Sequence, residues 1–141
     1  MSGGPGTVAG VGTWDKGPFD NDAAADWTGE FGEASEQARL EMLEEALHAA
    51  ADESDYLDAD TAYEAIAAAA VIAARLPGGP AVDNELVIEV ELPAELPDLA
   101  LRALDRIIDE DSGWRDRWDD LDQLDDAVAV LDPIRDALAR A

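Results

Sequence analysis

The chain has 141 residues, which suits one ordinary domain. Apolar residues make up 48% of it, but many are alanine and only 6% are aromatic, so the core must be built from small side chains around a few rings. Thirty-four Asp and Glu against nine Lys and Arg give a net charge of −25, and no cysteine is present. Disulfides and thiolate chemistry are thereby excluded, and a field of this sign repels nucleic acid, anionic lipid and phosphorylated ligands.

Lys16 is the one lysine, and the other eight cations are arginine. A basic protein, metal cations or salt are the companions such a surface favours. A high-salt interior or a GC-rich genome would leave the same imprint. No basic stretch followed by an apolar run opens the sequence, and the longest apolar run, Ala65 to Ala74, is too short to span a bilayer. The expectation is a soluble, cytoplasmic protein with no membrane contact.

Residues 1–11 are rich in glycine and read as a flexible lead-in, with 12–141 as a single α-helical domain. Asp20, Asn21 and Asp22 are candidate caps for a first helix, which Gly29 and Gly32 are expected to end. A second helix spans about 33–51, with Leu40, Leu43, Leu47 and Ala50 on one stripe and Glu36, Glu41, Glu44 and Glu45 opposite. His48 lies there among alanines, with no partners for a zinc site. After a polar break at 52–60, Asp58 or Asp60 caps a third helix over about 61–76. Its apolar circumference from Ala65 to Ala74 predicts a central, buried element.

Pro77, Gly78, Gly79 and Pro80 stop that helix. Residues 86–92 (LVIEVEL) alternate with period two, but a lone strand lacks a partner, so an extended connector or an edge for another copy is expected. A fourth helix covers about 98–111. Trp114 and Trp118 then share one face of a helical turn, and a last helix starts near Asp119 or Asp120, carries Leu121, Leu124, Val128 and Leu131 on one stripe, and is kinked or restarted at Asp132-Pro133. The fold class expected is mainly α: a compact bundle of about five helices with an extended N-terminal arm and one short strand-like connector.

Residues 12–27 read GTWDKGPFDNDAAADW, holding two glycines, a proline and three rings. Trp14, Phe19 and Trp27 can pin an arm to a helical body, and Phe19 stands where a hydrophobic staple would sit. This stretch resembles the pattern G-x-W-x-x-G-P-F-x-N-D-x-A-x-D-W of a family of uncharacterised bacterial and archaeal proteins, the domain of unknown function 4259. The residues that carry the resemblance are Gly12, Trp14, Gly17, Pro18, Phe19, Asn21, Asp22, Ala24, Asp26 and Trp27. The alanine-rich third helix and the stretch 100–118 are similar to the family more loosely, while the glycine-rich extension and LVIEVEL depart from it. The resemblance implies a helical fold and no established activity.

Tests for chemistry leave no catalytic residue. The serines have no elbow, and no cysteine is available as a nucleophile. A calcium loop beginning at Asp20 would place Ala24 and Ala25 where an oxygen ligand and a glycine are needed. Asp119, Asp120, Asp122, Asp125 and Asp126 look like a diphosphate-gripping magnesium motif, but the second acidic helix it requires is missing, and a solvated face is expected. No cofactor and no metal are expected. Trp14, Phe19, Asn21, Asp22, Asp26 and Trp27 are the candidate binding residues of a non-enzymatic protein-binding or regulatory module with a basic protein as partner. The alternatives are a metal-dependent or carboxylate enzyme near Asp22 and Asp26, and a housekeeping domain whose acidity is a high-salt adaptation. Oligomeric state is left open.

Overall fold

The computed structural model describes residues 19, 21–82, 84–89 and 91–140. Among these the chain is helical, with α1 (Asp22–Glu33), α2 (Glu36–Ala51), α3 (Ala59–Ala73), α4 (Leu96–Ile108), α5 (Gly113–Asp120) and α6 (Leu124–Ala139), plus one 3₁₀ turn at Asn84–Leu86. The mainly α class expected from the sequence is correct, with six α-helices rather than about five. Trp14 and the arm before Phe19 lie outside the described residues.

The organising element is α3. Every residue from Ala65 to Ala73 is buried, and the helix contacts each of the other five α-helices. Alanine makes this possible, because a backbone without long side chains lets neighbours approach on all sides. Around it, α2 packs on α4 and α4 on α6, with Leu43, Leu47 and Ala50 of α2 and Leu99, Ala103 and Leu104 of α4 buried in the shared core. The chain leaves α3 through a turn in which Gly79 lies so close that an added Cβ would fall 1.7 Å from the Ala73 carbonyl oxygen. No other residue fits there.

Helix starts follow the capping rule closely. Asn21 caps α1 by accepting from the Ala24 N–H at 2.8 Å, Ser35 caps α2, Asp58 caps α3 and Ser112 caps α5. Pro97 sits in the first turn of α4, where its missing N–H costs nothing.

Three expectations are corrected. Gly29 and Gly32 do not end α1, which continues to Glu33 because Ala24, Trp27 and Phe31 are buried along one stripe. That packing outweighs roughly 1 kcal/mol of helix propensity lost per glycine. The last helix starts at Leu124, since Asp119 and Asp120 complete α5 and Asp122 turns the chain at a φ of 57°. Of the kink or restart expected at Asp132-Pro133, the restart is not found. Pro133 lies inside α6, where both it and Ala129, whose carbonyl loses its amide partner, are exposed.

The LVIEVEL segment is not a strand among the described residues. Leu86 closes the 3₁₀ turn, and Ile88 and Leu86 are buried on the helical body. In place of a neighbouring strand, arginines serve its backbone. Arg39 Nη1 donates to the Val87 carbonyl at 3.2 Å, Arg39 Nη2 to the Glu85 carbonyl at 2.9 Å, and Arg75 Nη1 to the Ile88 carbonyl.

Candidate functional site

The N-terminal candidates are divided by the fold. Trp27 is buried and stacks on Phe31, with ring centroids 4.8 Å apart and planes 19° from parallel. The Arg39 guanidinium lies 5.1 Å from the Phe31 ring centre, which completes an arginine–Phe–Trp stack. Asn21 is committed to the cap of α1. Phe19 is half-buried and lines a cleft of about 470 Å³ with Thr28, Gly29, Val82 and Glu85, between α1 and the segment after α3. Asp22 and Asp26 are exposed one turn apart on α1. Trp14 is outside the described residues, so the six candidates are not seen converging on one cavity.

Among the described residues, no group of three or more His, Cys, Asp or Glu is arranged to hold a metal ion. The aspartate run is nonetheless gathered in space. Asp119, Asp122, Asp125 and Asp126 line a cleft of about 350 Å³ at the turn from α5 to α6, and all four are exposed. His48 is exposed, with its Nδ1 2.9 Å from Asp52 Oδ2 one turn on.

The arginines are the polar feature that the sequence did not reveal. Arg39 bonds four backbone carbonyls: Phe31 from Nε at 2.9 Å, Gly32 from Nη2 at 3.0 Å, and Val87 and Glu85 in the connector. Arg106 does the same between two loops. Its Nε donates to the Glu53 carbonyl at 2.9 Å and its Nη2 to that of Asp55 at 2.6 Å. Its Nη1 and Nη2 also reach the carbonyls of Glu110 and Asp111. Arg115 Nη1 donates to the Ile108 carbonyl at 2.6 Å. A guanidinium with five N–H donors in a fixed fork can tie together backbone that no helix or sheet satisfies.

Two large apolar side chains are left exposed among the described residues: Tyr56 at 54% and Leu121 at 47%. Tyr56 belongs to the acidic segment between α2 and α3, while Leu121, expected on the apolar stripe of the last helix, instead ends α5 and is exposed. The Tyr56 hydroxyl donates to Asp116 Oδ2 at 2.8 Å, and that carboxylate acceptor raises the Tyr56 hydroxyl above its ordinary range, with Asp120 and Asp111 adding to it. Leu121 follows Asp120 at the end of α5. With Arg117, Asp120 and Gln123 it lines an open cleft of about 600 Å³. Beneath, Tyr63 and Trp118 are buried. Burial raises the Tyr63 hydroxyl, and Arg117, 6.0 Å from its ring centre, and Trp118 work against that rise.

No helix among the described residues is long and apolar enough to cross a membrane. Comparison with the curated proteins and with the solved structures returns no match. One family profile does match, that of "Domain of unknown function (DUF4259)", over residues 12–130. With most of its length matched, from the motif at Gly12 into the last helix, the chain belongs to this family of unknown function.

Proposed function

We propose that this chain is a non-enzymatic protein-binding module, a single helical domain over residues 12–141, that docks a basic protein in the cytoplasm. The observation that supports it is where the scarce cations go. Arg39, Arg75, Arg106 and Arg115 turn their guanidinium groups onto backbone carbonyls of this same chain. The exposed carboxylates therefore meet few surface cations, and their field projects outward. A basic partner gains from that field in encounter rate and in choice of partner. Nucleic acid is repelled by it.

Affinity capture from source lysate, followed by calorimetry with each purified basic candidate, tests this reading. The expected result is at least one candidate binding at micromolar Kd or tighter, about −8 kcal/mol, with affinity falling as salt rises. Failure of every candidate to bind at about 0.15 M salt would overturn it.

A second reading has its own support. Exposed carboxylates occur on all six helices rather than on one face: Asp26 on α1, Glu44 on α2, Asp60 on α3, Asp105 on α4, Asp119 on α5 and Asp136 on α6. An even coat suits a housekeeping domain adapted to high salt. It requires a melting temperature that climbs from low salt to about 1 M KCl, where the Debye length is near 3 Å. A melting temperature indifferent to KCl eliminates it.

A further inference from the structure

We infer that the outer face of α5, from Tyr56 across to Leu121, is the docking surface for a basic amphipathic segment of a partner protein, one apolar residue of which seats against Leu121 in the cleft. This rests on the protein-binding reading and adds to it a place and a chemistry.

Three observations converge there. The first is apolar exposure: Tyr56 and Leu121 are the large hydrophobics left open to solvent among the described residues, and the Leu121 cleft is of a size that holds a side chain or two. The second is extent. Asp116 and Asp120 form one row along α5, with Tyr56 hydrogen-bonded to Asp116. Arg117 and Leu121 form the adjoining row, so the surface runs across two helix rows rather than into one closed hole. The third is the placing of charge. The carboxyl end of a helix carries partial negative charge and favours cations. Here Asp119 and Asp120 occupy that end and Asp122 follows it, while Arg117, the basic residue of the last turn, is turned toward the Tyr63 ring. Lysines or arginines of a partner, set beside Asp116 and Asp120, add positive charge at a helix end where Arg117 stands against Asp119 and Asp120.

Charge selects among occupants. A second copy brings another −25 to the same place, and nucleic acid or an anionic membrane is opposed likewise. A basic segment is attracted, and Leu121 distinguishes one with an apolar anchor from one that is merely cationic.

The experiment uses two fluorescein-labelled peptides of equal length and charge, one of Lys and Leu at helical spacing and one of Lys and Ser. Binding is followed by anisotropy at about 0.15 M KCl. The Lys/Leu peptide is expected to bind at least about tenfold more tightly than the Lys/Ser peptide. Leu121→Ser and the pair Asp116→Asn with Asp120→Asn should each weaken it by about tenfold, while Glu44→Gln with Glu45→Gln, an equal charge change on α2, leaves Kd within about twofold. Leu121 and the four acids are exposed, so the variants keep the fold. Equal binding of the two peptides, or equal weakening by the α2 pair and the α5 pair, overturns the α5 surface while leaving an acidic protein-binding module standing. No binding of either peptide tighter than about millimolar sinks both.

Discussion

Asp58 shows how much a single residue does in this chain. It accepts from the Thr61 hydroxyl and from the backbone N–H groups of Thr61 and Asp60, and these bonds, the hydroxyl first, hold its carboxyl below the ordinary value of 3.8. Its contribution is therefore present above pH 3.8 and is lost as pH falls through the depressed folded value. Asp58→Ala should cost about 1 kcal/mol in urea melts at neutral pH. The gap between variant and parent should close below about pH 4. A gap constant across that range would mean that the carboxylate is not the cap. Arg39 supports more backbone than Asp58 does. A lysine in its place keeps the charge but cannot reach the carbonyls of Phe31, Gly32, Glu85 and Val87 together. Arg39→Lys should lower stability by about 2–3 kcal/mol, checked by chemical denaturation.

At the scale of the elements, Pro133 is the anomaly. It removes one amide donor from the middle of α6, and the helix persists because the unpaired Ala129 carbonyl is on the solvent side while Leu131, Ile134 and Leu138 stay buried. Pro133→Ala restores the bond. The variant's looser unfolded chain takes back roughly 0.4–1 kcal/mol, so a net gain of about 1–2 kcal/mol is expected in thermal melts. Legibility of the elements follows the same physics. The buried, alanine-rich α3 and the placing of Trp114 and Trp118 on one helix are legible because composition and spacing there admit one arrangement. The alternation in LVIEVEL misled because period two marks a strand only when backbone partners exist, and here arginines from α2 and from beyond the end of α3 supply them. Those arginines were invisible in sequence, since a guanidinium bound to loop carbonyls leaves no periodic trace. Tyr56 sits in an acidic run that reads as solvated loop, and the three-residue spacing of Leu121 and Leu124 suggests a helix stripe that the turn at Asp122 interrupts. At the N-terminal motif, Asn21 as a cap and Trp27 as an anchor were readable, because a short polar side chain before a helix and a large ring within it each have few uses.

For the molecule as a whole, the balance lies between a tightly joined interior and a surface that repels itself. Neutralising Glu44 and Glu45 together by glutamine should raise the melting temperature in about 10 mM salt and change it little in about 1 M KCl. An equal shift in both conditions would point to helix propensity rather than to long-range charge.

The junction of five helices on α3 sets the hierarchy of local opening. Amide hydrogens along Ala65 to Ala73 have no path to solvent that leaves the remaining helices packed, so deuterium should enter them only as often as the entire chain unravels. The turn over 121–123, with Leu121 and Asp122 exposed, should exchange far sooner. The face that presents Leu121 can thus rearrange around an incoming segment while the interior stays closed.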